Sequence, residues 1–125
     1  MTLRTPLGKV LGRGSAGEGV GHWWTQRVTA VALIPLTLWF AISLLGKALQ
    51  SHAAMSAWLG TPWVAVGTIL LVITLAWHSW LGVQVVVEDY VQGKGTKTAL
   101  LLLSTFLHFA AAVAALFAVL TLALT

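Results

Sequence analysis

Cysteine is absent from this 125-residue chain, and it has only three acidic residues. Without cysteine the chain can form neither disulfides nor thiolate-ligated metal and iron–sulfur sites. Charged residues make up 8% of the sequence, against about 25% in a soluble domain. Because 58% of the residues are hydrophobic, the chain cannot cover its surface with groups that water solvates. The composition predicts an integral membrane protein, and the length allows one domain.

Three stretches nearly free of formal charge are each long enough to cross the hydrocarbon, which takes about 20 apolar residues. Pro35 lies inside the first stretch, where a membrane helix tolerates it as a kink. The sequence therefore predicts an all-α membrane protein with a three-helix transmembrane domain over residues 28–125. The expected spans are about 28–47, 63–87 and 98–124.

The distribution of Lys and Arg predicts the topology. Residues 1–27 form a polar, glycine-rich stretch with four such residues, expected to be an extended or loosely ordered cytoplasmic arm. The connection 88–97 carries two, whereas the loop 48–62 has only Lys47 at its edge. Because positive segments stay inside, the N-terminus is predicted to be cytoplasmic and the C-terminus periplasmic. The net charge of +4 is thus a topology signal and indicates no nucleic-acid partner.

The stretch W-H-S-W-L-G-V-Q-V-V-V-E-D-Y places a histidine well inside the second span and an Asp-Tyr pair at its end. His78, Gly82 and Asp89 are separated by four and seven residues, so they share one stripe of a helix. The carboxylate lies roughly 16 Å along the axis from the imidazole. Because an ionisable group inside a membrane is costly to place, this stripe is the candidate functional site.

Two interpretations of His78 stay open at this point. Either the imidazole bonds across to a neighbouring helix, or it is an axial haem ligand. Gly82, one turn along, leaves a gap that suits a flat macrocycle, although small residues also serve ordinary helix packing. His108 is predicted at nearly the same depth in the third span, so the two histidines could clamp one iron. His22 and His52 are expected at the surface or the membrane interface.

Asp89 and Tyr90 are expected where the second span meets the cytoplasmic headgroups. They are either an interfacial aromatic with a solvated acid, or a hydrogen-bond donor and its partner for a lipophilic substrate. Arg27 lies on the same side, at the start of the first predicted span. Its charge either only follows the rule that positive segments stay inside, or pairs with Asp89 or with the anionic group of a cofactor.

The motif H-S-W-L-G-V-Q-V-V-V-E-D-Y resembles the smaller hydrophobic membrane-anchor subunit of succinate dehydrogenase, respiratory complex II. That family has a histidine, a glycine four residues on, and Asp-Tyr at eleven and twelve, which His78, Gly82, Asp89 and Tyr90 match. The lead-in H-W-W-T-Q-R-V-T-A is similar to the family's approach to its first helix, with Arg27 in the matching place. The resemblance covers nearly the whole chain.

The resemblance implies a four-subunit enzyme in the bacterial inner membrane. A flavoprotein subunit with FAD oxidises succinate, and an iron–sulfur subunit relays the electrons. Two small subunits, this chain and a larger cytochrome b anchor, form one helix bundle that binds haem b and ubiquinone. The chain itself lacks flavin and Fe–S binding features, so it is expected to be inactive in isolation.

The resemblance also implies roles for individual residues. His78 would be one axial ligand of the haem iron, with the other from the larger anchor, and Gly82 would pack beside the haem. Tyr90 would donate to a quinone carbonyl next to Asp89, and Arg27 would lie near a haem propionate or the quinone mouth. Two alternatives stay open: an anchor of a fumarate reductase, and a structural or assembly subunit of another complex whose histidines serve only helix packing.

Overall fold

A computed structural model describes residues 5–11, 19–48 and 50–125. All regular structure in these ranges is α-helical. Helices α2, α4 and α5 are long and apolar enough to cross a membrane, which confirms the predicted all-α fold with three spans. In chain order the helices are α1 (Pro6–Val10), α2 (Gly19–Ala48), α3 (His52–Leu59), α4 (Pro62–Tyr90) and α5 (Lys94–Leu124).

The helices extend beyond the predicted spans. Helix α2 begins at Gly19, so the lead-in predicted as part of a surface arm is helical. The predicted loop 48–62 contains α3, which begins after Ser51, whose side chain accepts a bond from the Ala54 amide. The predicted connection 88–97 is shorter in the structure, where only residues 91–93 lie between α4 and α5. The physical reason is that charge and glycine mark where the hydrocarbon ends, whereas a helix can continue into the headgroup region. Residues 1–4 and 12–18 of the predicted arm lie outside the described residues.

Helix α4 is the middle of the arrangement. It packs against α2 on one side and α5 on the other, and the described parts of α2 and α5 do not touch each other. Most apolar side chains of the outer helices are exposed, as expected for faces that meet lipid or other membrane subunits. Among the residues whose burial is described, the buried ones lie on α4 and α5: Ala65, Thr68, Leu71, Leu81, Val87, Ser104 and Val119.

Close contact between α2 and α4 depends on Gly67. A Cβ at this position would lie 2.7 Å from Cη2 of Trp39, so the indole ring occupies the space of the missing side chain. Trp39 also stacks at tilted angles with Phe40 and with Trp58 of α3. This aromatic cluster fixes one end of the α2–α4 pair, and with it the register of the two helices.

Candidate functional site

The stripe of α4 that carries His78 faces α2. Oγ1 of Thr29 lies 2.9 Å from Nδ1 of His78. Four residues further along α4, a Cβ on Gly82 would lie 3.8 Å from Nε2 of Gln26. Together with Gly67 and Trp39, these pairs set an antiparallel register in which the numbers of facing residues add up to roughly 107. The predicted stripe is therefore the contact surface between the first and second spans.

The hydrogen bonds of Thr29 indicate which nitrogen of His78 carries the proton. The Thr29 hydroxyl donates to the backbone carbonyl of Thr25 at 2.8 Å, with the carbonyl of Gln26 at 3.1 Å. Since the hydroxyl proton is used within α2, the oxygen is free to accept from Nδ1–H of His78. In that tautomer Nε2 keeps its lone pair. Nε2 has no hydrogen-bond partner among the described residues and is not fully buried.

Sequence reasoning missed Gln26, which lies next to Gly82 in the same interface. Its Oε1 atom is buried and has no donor among the described residues. Burying an amide oxygen without a hydrogen-bond donor costs free energy. Its donor is therefore expected to come from outside the described residues. Gln26 lies three residues before Thr29 on the same helix face, but no sequence signal marked that face before the packing of α2 against α4 was known. Gly82 does not open onto empty space in this chain, since Gln26 borders it.

Arg27 does not pair with Asp89. The register places Arg27 level with position 80 of α4, roughly 13 Å along the axis from Asp89. Its guanidinium lies 5.5 Å from the ring centroid of Trp23, a cation–π contact on its own helix. Arg27 is two residues before Thr29, about 200° around the helix, so it points away from α4 and is exposed. The ion pair that the sequence left open does not form, because the packing register of α2 and α4 places the two residues at different depths.

Asp89 and Tyr90 are the last two residues of α4, and both are exposed, with 81% of the Tyr90 surface accessible. Asp89 lies on the same stripe as His78 but level with the first residue of α2, Gly19, so the described part of α2 does not cover it. Both side chains are therefore available to a molecule that reaches this end of the span.

His108 has different neighbours from His78. Its Nδ1 donates to the backbone carbonyl of Ser104 on its own helix at 2.8 Å. It lines a groove of about 390 Å³ between α4 and α5, whose α4 side includes Ile73, Ala76 and Trp80. These residues lie on the face of α4 opposite His78. The structure therefore does not bring the two histidines together, although they lie at similar depth. Of the other histidines, His52 is exposed at the start of α3 and His22 is half-buried in α2.

Comparisons with known proteins agree with this architecture. The family model described as "Succinate dehydrogenase/Fumarate reductase transmembrane subunit" matches residues 1–123. A succinate dehydrogenase hydrophobic membrane anchor subunit of Paracoccus denitrificans is 36% identical over 94% of this chain and 91% of its own length. The subunits of that name from Rickettsia bellii (strain RML369-C) and Coxiella burnetii (strain RSA 493 / Nine Mile phase I) are 33% and 26% identical. They cover 80% and 66% of this chain and 80% and 72% of their own lengths.

No solved structure matches the chain significantly. The family match spans nearly the full sequence, and the alignment with the Paracoccus denitrificans subunit covers most of both chains. The chain belongs to the family of succinate dehydrogenase/fumarate reductase transmembrane subunits.

Proposed function

We propose that this chain is the hydrophobic membrane-anchor subunit of a succinate dehydrogenase, and that His78 is one axial ligand of a haem b shared with a larger cytochrome b anchor. The observation that carries the haem assignment is the bond between Thr29 and Nδ1 of His78. A histidine that ligates a metal normally bonds a protein group through its other ring nitrogen. The cross-helix bond and the ligand role are thus compatible, because each uses a different nitrogen.

The residues present would fit a haem held by His78 of α4. His78 offers Nε2 at roughly 18 Å from the end of α4, within an apolar span. When bound, the haem supplies one-electron redox chemistry inside the membrane. A role for Arg27 near a haem propionate or the quinone mouth stays a prediction, since its exposed side chain points away from α4. A haem-packing role for Gly82 stays a prediction, since its neighbour in this chain is Gln26.

Visible spectra of the assembled complex test the haem assignment. His78→Leu should lose or alter the reducible b-type bands, whereas His108→Leu, a change at a histidine of similar depth, should keep them. Subunit content is measured in the same membranes to confirm assembly. Loss of haem in the His108 variant with a normal spectrum in the His78 variant would overturn the assignment.

At the end of α4 we assign a ubiquinone contact to Tyr90, with Asp89 orienting it or delivering protons. A phenol is a neutral donor whose ring tolerates an apolar wall. Reduction of a quinone needs two protons, which are more accessible at the headgroups than inside the hydrocarbon. The exposure of both residues supports this role.

Tyr90→Phe removes only the donor. Binding should weaken by roughly 0.5–1.5 kcal/mol, so quinone reduction falls severalfold. Succinate oxidation with a dye that bypasses the membrane site is the control and should persist. Unchanged quinone reduction in an intact complex would leave Tyr90 as an interfacial aromatic.

The partners follow from the anchor role. The flavoprotein with FAD and the iron–sulfur subunit dock at the cytoplasmic end, so the purified chain alone should not oxidise succinate. We further propose a bacterial inner-membrane location with the N-terminus cytoplasmic, supported by the bias of Lys and Arg. Reporter fusions after Thr125 and within residues 91–93 test it, and an inside signal at Thr125 with an outside signal in the connection contradicts it.

A further inference from the structure

We propose that Thr29 is a positioning residue for the haem ligand: its hydroxyl oxygen accepts from Nδ1–H of His78 and holds Nε2 towards the iron. The proposal rests on the haem ligation proposed for His78. It concerns a residue outside the four-residue motif, on a different helix, identified only by the packing of α2 against α4.

The hydroxyl has one proton, and α2 itself uses it. Oγ1 of Thr29 lies 2.8 Å from the carbonyl oxygen of Thr25, one turn back, and donates to it. The reverse arrangement, in which Thr29 donates to His78, would give up this bond and place the proton on Nε2, where it would block a metal. Only one tautomer satisfies both the helix carbonyl and the imidazole.

The bond has two consequences for a ligand at Nε2. It fixes the rotation of the ring relative to α2, because the imidazole is tied at Nδ1 to a helix whose own register is set by Trp39 and Gly67. It also makes Nε2 more electron-donating, since a hydrogen bond from the far nitrogen raises the basicity of a metal-bound imidazole. More donation favours ferric over ferrous iron. Within an apolar interface no bulk water is present to replace the bond.

The prediction is a shift of haem properties without loss of haem. Thr29→Val keeps the shape and removes the hydroxyl, so the haem midpoint potential should move to more positive values. The largest g value of the ferric haem should move as well. Thr29→Ser keeps the hydroxyl and should restore both. Thr37→Val is the matched control, because the Thr37 hydroxyl is exposed and bonds a carbonyl of its own helix. These quantities are measured by redox titration and electron paramagnetic resonance on the assembled complex.

The outcomes separate the two proposals. If the Thr29→Val and Thr37→Val variants both keep the wild-type potential and g values while His78→Leu loses haem, the positioning role is wrong and the haem assignment stands. If His78→Leu keeps a normal spectrum, the haem assignment itself fails. If the valine variant does not assemble, the serine variant decides. If the Thr29→Ser variant assembles and has the wild-type haem potential, the hydroxyl is required. If neither the valine nor the serine variant assembles, Thr29 acts through packing alone.

Discussion

The two sides of α4 differ in what holds them together. On the α2 side, Gly67 makes room for the Trp39 ring, and His78 is bonded across to Thr29. On the α5 side, the backbones of α4 and α5 also pack closely, but a groove of about 390 Å³ lined by Trp77 and Trp80 lies beside their contact. The cross-helix bonds there involve Nε1 of Trp80 with Thr105 and Nζ of Lys97 with a backbone carbonyl.

The difference shows where an ionisable side chain is tolerated within the span. An imidazole inside a membrane needs a fixed polar partner, which either a closely packed neighbouring helix or the preceding turn of its own helix supplies. The α2 side meets this condition for His78, whereas His108 obtains its bond from Ser104 of its own helix. The α2–α4 pair therefore holds the imidazole of the candidate site, whereas His108 lies beside the groove between α4 and α5.

The largest expected effect comes from Gly67→Leu, which forces α2 and α4 apart. Because even a Cβ would lie 2.7 Å from the Trp39 ring, overpacking should cost about 1–3 kcal/mol. The amount of assembled complex and its thermal stability in detergent should both fall. Gly46→Leu on α2 is the control, since no atom lies within 4 Å of a Cβ there. Equal stability of the two variants would mean that α2 and α4 do not approach closely at Gly67.

A smaller effect is expected on the groove side from Trp80→Phe, which removes the donor to Thr105, 3.0 Å away. Such bonds within membranes average about 0.6 kcal/mol and reach about 1.7. A double-mutant cycle with Thr105→Val isolates the pair, measured as thermal unfolding of the complex in detergent. The destabilising effects of the two substitutions should be less than additive. Fully additive effects would show that the bond contributes nothing to stability.

The smallest effect is expected at the end of α4 from Lys97→Met. The change keeps the aliphatic stem and removes the bond from Nζ to the Glu88 carbonyl, which is 2.9 Å long. The free energy of unfolding should change by no more than about 0.5 kcal/mol, as for most substitutions at the surface. Faster amide hydrogen exchange in the last turn of α4 is the sensitive measure. Lys94→Met removes an equal charge from the same connection, and an identical exchange profile in both variants would assign the effect to charge alone.

The sequence by itself determined the membrane class, the three spans and the face of α4 that carries the site. Composition excludes a soluble fold, and a helix turns about 100° per residue, so His78, Gly82 and Asp89 share a stripe before any contact is known. The motif that carries the family resemblance lies within that single helix, which is why it could be identified without a structure. The comparisons confirm the family, while the roles of individual residues stay predictions.

Only the tertiary structure decided what lies opposite that stripe. Periodicity fixes faces within one helix, but the register between two helices depends on where side chains interlock, here Trp39 over Gly67. That register places Thr29 and Gln26 beside the site and puts Arg27 and Asp89 at different depths. Likewise, the sequence placed His78 and His108 at one depth, yet packing α2 and α5 on opposite sides of α4 turned them towards different neighbours.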